Sequence, residues 1–92
     1  MTEEEVKAWV LEQKEAKVLT EKDLKHVVMC LHHIWKWYEE GRPLGGFLMA
    51  VLRNNLIEAC RQADDINEKI ITLYPKFIYE YIPVDYKKKL KA

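Results

Sequence analysis

Three features of the 92-residue sequence predict an all-α fold. Apolar residues recur at steps of three and four, and threonine followed three residues later by an acid opens two of these runs. All three glycines and one of the three prolines fall between residues 41 and 46, where two runs meet. No alternating strand-like run with hairpin turns, no low-complexity segment and no internal repeat competes with this pattern. The expected architecture is a small antiparallel bundle of three to four helices, with the fourth kinked or broken near Pro75. The length suits one domain over 1–92, with 1–18 as a peripheral N-terminal helical segment and 84–92 as a basic tail.

Thr2 and Glu5 have capping-box spacing, and Val6, Trp9, Val10 and Gln13 share a face. Together they predict a first helix over about 3–16, anchored by Trp9, with Glu4, Lys7, Glu12 and Glu15 turned to solvent. Val18 and Leu19 lead to a second box, Thr20 with Asp23, and a long helix starts at Glu21. Its seam is Leu24, Val28, Leu31, Trp35 and Tyr38, widened by Val27 and Ile34. Gly41 stands where a left-handed C-terminal cap is expected. Leu44, Phe47, Leu48, Val51, Leu52, Leu56, Ala59, Cys60 and Ala63 predict a third helix over about 44–63, opened by Pro43. Gly45 and Gly46 weaken that helix by about 1 kcal/mol each relative to Ala, which points to close approach of a packed helix or a ligand. Asp64-Asp65 caps a fourth helix, with Glu68 at box spacing. Its stripe, Ile66, Ile70, Leu73, Tyr74, Phe77, Ile78 and Tyr81, runs across Pro75 and stops at Pro83.

Fifteen basic and fifteen acidic residues cancel, so no overall field draws the chain to nucleic acid or to an anionic membrane. The run Lys87-Lys88-Lys89-Leu90-Lys91 reads as a solubilising tail. No window approaches the roughly 18 apolar residues of a membrane span. The opening Thr2-Glu3-Glu4-Glu5 is unlike a secretory leader, so reduced Cys30 and Cys60 and a cytoplasmic location are expected. Trp9, Trp35, Trp37, Tyr38 and Phe47 exceed what a small helical core easily hides, and they are the expected partner or homo-oligomer surface.

Few constellations suggest chemistry. His26, Cys30 and His33 share one helix face and could offer ligands to zinc, but a structural zinc site wants four, and Cys60 is the only further thiol; no metal or cofactor is expected. Serine is absent, and Thr2 and Thr20 serve as caps. A cysteine paired with histidine on one helix turn has no oxyanion hole, so catalysis is not expected. Recognition is expected at the turn, where a glycine-preceded helix start exposes N–H groups suited to phosphate or carboxylate. Arg42, Gly45 and Gly46 are the candidate ligand residues there, with Arg53 and Asn54 further along. Lys22, Lys25 and Lys36 amid hydrophobics make a poor DNA-reading helix.

The segment Gly46-Phe47-Leu48-Met49-Ala50-Val51-Leu52-Arg53-Asn54-Asn55-Leu56, followed by Ala59, Ala63-Asp64 and Asn67, resembles a group of small uncharacterised phage, prophage and bacterial proteins. Their pattern is close to G-x-F-L-x-A-V-L-x-N-x-L-x-x-A-x-x-x-A-D-x-x-N. Phe77-Ile78-Tyr79-Glu80-Tyr81-Ile82-Pro83 is similar to their later aromatic segment. The likeness spans roughly residues 39–83. It departs at Asn55, where Asp is usual, at Glu80, where Asn is usual, and in lacking a tryptophan tail after Pro83. The resemblance implies a phage context, hence the host bacterial cytoplasm, and brings no catalytic residues. The expected function is a non-enzymatic accessory protein that sequesters or blocks a partner, with counter-defence as the expected context. The partner is a host protein or a small anionic, nucleotide-derived signal; the alternative is a small nucleic-acid-associated regulator.

Overall fold

The long helix sets the scale of the molecule. In the computed structural model, which describes residues 1–90, α2 (Glu21–Glu40) has 20 residues, about 30 Å at 1.5 Å per residue, against a longest extent of 36 Å. Thr20 and Asp23 form the reciprocal cap at its start, at 3.1 and 3.2 Å. Gly41 ends it in the left-handed region (φ 71°), its N–H returning to the Trp37 carbonyl at 3.0 Å. The buried stripe is Val27, Val28, Cys30, Leu31, His32 and Ile34, whereas Leu24, Trp35 and Tyr38 are half-buried. The seam is therefore rotated toward Val27, Leu31 and Ile34.

α1 (Glu3–Leu11) begins with the expected Thr2–Glu5 box and is shorter than expected. Gln13 leaves helical geometry (ψ 146°) and its side-chain amide donates to the Trp9 carbonyl at 3.1 Å, closing the helix end. A 3₁₀ turn over Lys14–Val18 follows. It carries Glu15 inward, where Lys76 (2.8 Å) and the Thr72 hydroxyl (2.7 Å) donate to its carboxylate; the side chain is 8% exposed, not solvent-facing. Nor is the first helix peripheral. Val6 and Val10 are fully buried, and α1 packs along α2 as a wall of the core. His32, buried on α2, places Nε2 2.9 Å from the Met1 carbonyl and ties down the chain start.

The expected third helix is two helices, α3 (Gly46–Leu52) and α4 (Leu56–Gln62). Asn54 adopts φ 57°, its N–H bonds the Val51 carbonyl at 3.0 Å, and the Asn55 N–H bonds that of Ala50 at 2.9 Å. This paired pattern is a Schellman stop with Asn in the place of Gly. Asn55 then caps α4, its side-chain oxygen accepting from the Glu58 N–H at 3.2 Å.

The fourth helix is also divided. α5 (Asp65–Lys69) is capped by Asp64, which accepts from the Asn67 N–H at 2.8 Å. Turns at Ile70–Thr72 separate it from α6 (Leu73–Tyr81). Pro75 is the third residue of α6, within the first turn, where a missing N–H costs no helical bond; it opens a helix rather than kinking one. The tail is not merely frayed: α7 (Tyr86–Lys89) is helical, and the end of the expected basic tail, residues 91 and 92, lies outside the described residues.

The molecule is thus all-helical among the described residues, with seven α-helices and a 3₁₀ turn in place of three or four long helices. Tyr74, Phe77, Leu31, Ile34, Leu52, Ile70 and Leu73 form its dry centre. The buried Tyr74 hydroxyl donates to the Asn67 side chain at 2.5 Å, which satisfies both polar groups. No described helix is long and apolar enough to cross a membrane.

Candidate functional site

The turn at 41–46 does not gather its candidate ligand residues. Arg42 pairs with Glu40 at 3.0 Å and borders a notch of about 100 Å³ with His33, Lys36 and Pro43, a notch to which neither Gly45 nor Gly46 contributes. Gly45 faces open space. A Cβ on Gly46 would meet the Gln62 side-chain amide of α4, the exposed end of a flexible side chain, which would have to swing aside. The helix that follows has seven residues, short for an anion-binding dipole.

The aromatic surface set is likewise redistributed. Trp9 is 5% exposed; its indole N–H donates to Glu80 at 2.6 Å, and its ring meets Phe77 and Tyr81 edge-on at 5.4 and 6.0 Å. This corrects its place on a partner surface. Phe47 packs edge-on against Tyr74 at 5.2 Å. Tyr38 donates to Asp85 at 2.7 Å and lies under the Lys89 ammonium at 4.6 Å. Trp35 and Trp37 are half-buried against the core.

His26, Cys30 and Asp64 do meet. The His26 Nε2 is 3.7 Å from the Cys30 sulfur and 3.3 Å from the Asp64 carboxylate, so one nitrogen serves both neighbours. A relay needs the two ring nitrogens to serve different partners. Burial, followed by the Asp64 charge, pushes the Cys30 thiol up, away from the thiolate that nucleophilic attack requires. His33 lies elsewhere, at the Arg42 notch. Among the described residues no group of three His, Cys, Asp or Glu is arranged to hold a metal.

Arg53 and Asn54 converge with residues from two other elements. They stand on one rim of a groove of about 640 Å³ between the end of α3, the outer face of α6 and α7. Its floor is apolar: Leu52, Ile78 and Ile82 are nearly buried, with Val51 and Pro75 beside them. The opposite rim is Tyr79, Val84, Tyr86, Lys87 and Leu90. Tyr79 is 90% exposed and Val84 76%. Among the described residues Arg53 and Lys87 are the only charges lining the groove, and neither enters an ion pair there. The groove thus offers an apolar bed, two cations, two phenols and an amide, a combination typical of pockets that hold one organic ligand.

In the sequence Lys87 reads as part of a solubilising tail and Tyr79 as part of the later aromatic segment, and none of Tyr79, Val84, Tyr86 and Lys87 is an expected site residue. Tyr79 carries a readable signal, an aromatic off the inward stripe of Tyr74, Phe77, Ile78 and Tyr81. The convergence of Lys87 with Arg53 depends on where the last helix folds back, which no local pattern encodes.

Comparison with known protein families, with curated proteins and with solved structures finds no match to this chain. Several residues that carry the phage-protein resemblance have structural roles here. Phe47 packs on Tyr74, Asp64 caps α5, and Asn67 receives the Tyr74 hydroxyl. Asn55 is a helix cap, a position where Asp serves as well.

Proposed function

We propose that this protein is a non-enzymatic binder that sequesters a small amphiphilic anion, with an apolar or aromatic body and one or two negative charges, in the groove between α3, α6 and α7. One observation carries the reading: an apolar floor of ligand size is edged by two cations, Arg53 and Lys87, and, among the described residues, by no carboxylate. Nucleotide-derived signals have this chemistry, with Tyr86 offering a ring face to a base and the cations meeting phosphate. Within a phage setting, as the motif resemblance suggests, such a protein works by removing a signal from the host cytoplasm, which suits counter-defence.

Native mass spectrometry of the protein purified from its producing cells tests this, alongside titration with adenosine 5′-monophosphate. Expected are an anionic adduct released on denaturation and a measurable binding heat, with Arg53→Ala and Lys87→Ala each weakening binding about tenfold, the worth of one charge-assisted hydrogen bond at a wet rim. Absence of both adduct and heat overturns the reading.

A second reading has its own support. Tyr79 and Val84 are largely exposed, as anchors for an acidic amphipathic helix of a host protein would be. Tyr79→Ala separates the two: it abolishes capture of a protein partner while leaving small-anion binding within a few-fold.

A further inference from the structure

We propose that a second copy of this chain docks on the exposed ridge of α4, in an antiparallel pairing about a two-fold axis. The basis is independent of the groove, to which α4 contributes no residue. Ala59 is 1% exposed and fixes the inward face of the helix. At 100° per residue, Ile57 and Arg61 then point directly outward, with Cys60 on the flank between Ile57 and Leu56. Leu56 is 65% exposed and Ile57 78%, two adjacent aliphatic side chains left in water, and the Cys60 thiol is exposed one turn on. The aromatic set that suggests an oligomer lies largely against the core, and Leu56 and Ile57 are two large exposed hydrophobics adjacent on one helix.

Charge identifies the occupant. α4 carries Glu58 in its first turn and Arg61 in its last, paired within the chain at 3.4 Å with the side chains 35% and 75% exposed. An antiparallel copy centred between Ala59 and Cys60 sets each Glu58 opposite the other copy's Arg61. Each intrachain pair becomes half of a four-charge network, no like charges are stacked, and the two Ile57 side chains cover each other's helix. The same surface is complementary to itself, which is the requirement of a two-fold interface. The axis also sets the two Cys60 thiols across from each other. A ridge of seven residues buries less than the roughly 1,200 Å² of a standard interface, so the dimer is a weak equilibrium with a dissociation constant on the order of 0.1 mM.

Sedimentation equilibrium of the full chain under reducing conditions, from 0.02 to about 1 mM, tests the proposal at the concentrations this weak affinity requires. Expected are dimers that grow with concentration and a loss of association of at least tenfold in Ile57→Asp. Ile57 is so exposed that the substitution leaves the fold intact, which circular dichroism verifies. Glu58→Arg weakens the dimer, and Glu58→Arg with Arg61→Glu restores it. Exchange with oxidised glutathione, in which two Cys60 thiols and one glutathione disulfide give one Cys60–Cys60 disulfide and two glutathione thiols, links the wild type, and Cys60→Ala abolishes the link. A monomer throughout the range, or a dimer indifferent to Ile57→Asp, overturns the proposal.

Discussion

Asn54 shows how one residue can look like a ligand contact and act first as backbone. It holds a positive φ of 57° at the stop of α3, and its side chain meets the groove only because the chain turns there. Asn54→Val, which strains that conformation, is expected to cost about 1–2 kcal/mol in denaturant unfolding. Asn54→Gly, which tolerates it, is expected within about 0.5 kcal/mol of wild type and isolates any contribution of the amide to binding. Glu15 is the opposite case, an acid placed in solvent by helical periodicity and found inside. Burial alone would raise its pKa, but the hydrogen bonds from Lys76 and Thr72 outweigh it and hold the carboxyl down at about 2. The folded chain therefore keeps Glu15 ionised where the unfolded chain, near 4.5, takes up a proton. Its stabilisation is complete above that value and is lost as the pH falls from about 4.5 toward 2. Glu15→Gln is expected to lower stability by about 2 kcal/mol at pH 7 and to flatten the acid limb of the stability curve.

At the scale of elements, what could be read in the sequence was local. Both threonine capping boxes, the Gly41 stop and the extent of α2 follow from side chains acting on their own neighbours, and they stand as expected. The splitting of the later helices was only partly visible. Asn54-Asn55 is a stop and a restart within two residues, yet the apolar stripe continues through it and conceals the break. The turns at Ile70–Thr72 free the Thr72 hydroxyl to reach Glu15, and a partner 57 positions away leaves no local trace. α7 follows the same logic, since four residues do not sustain a helix alone. Tyr38 holds it: its hydroxyl donates to Asp85, its carbonyl receives the Lys89 ammonium at 2.7 Å, and the bond to Asp85, followed by burial and carboxylate charge, pushes the phenol up to about 12. Tyr38→Phe is expected to raise amide exchange at residues 86–89 about tenfold while the α2 core stays protected. Unchanged exchange would mean that α7 is held by its groove-facing side chains instead.

For the whole molecule, the all-helical class was legible from periodicity and the working surface was not. In the sequence, recognition is expected at the glycine turn, where N–H groups, a proline and an arginine are adjacent in the chain. Folding separates these groups, pairs Arg42 with Glu40 and covers Gly46 with Gln62. Of the five candidate ligand residues, Arg53 and Asn54 reach a common cavity, because α6 and α7 return across the end of α3. On the proposed function, this cavity binds a body that is both apolar and anionic. Two-dimensional NMR titration with 1-naphthyl phosphate, 1-naphthol and inorganic phosphate in parallel separates the two requirements. Expected are saturable shifts at residues 51–54, 78–79 and 82–87 with naphthyl phosphate, and at least tenfold weaker binding of naphthol and of phosphate alone. Equal affinity for naphthol and naphthyl phosphate, or shifts confined to residues 33–43 at the Arg42 notch, would contradict it.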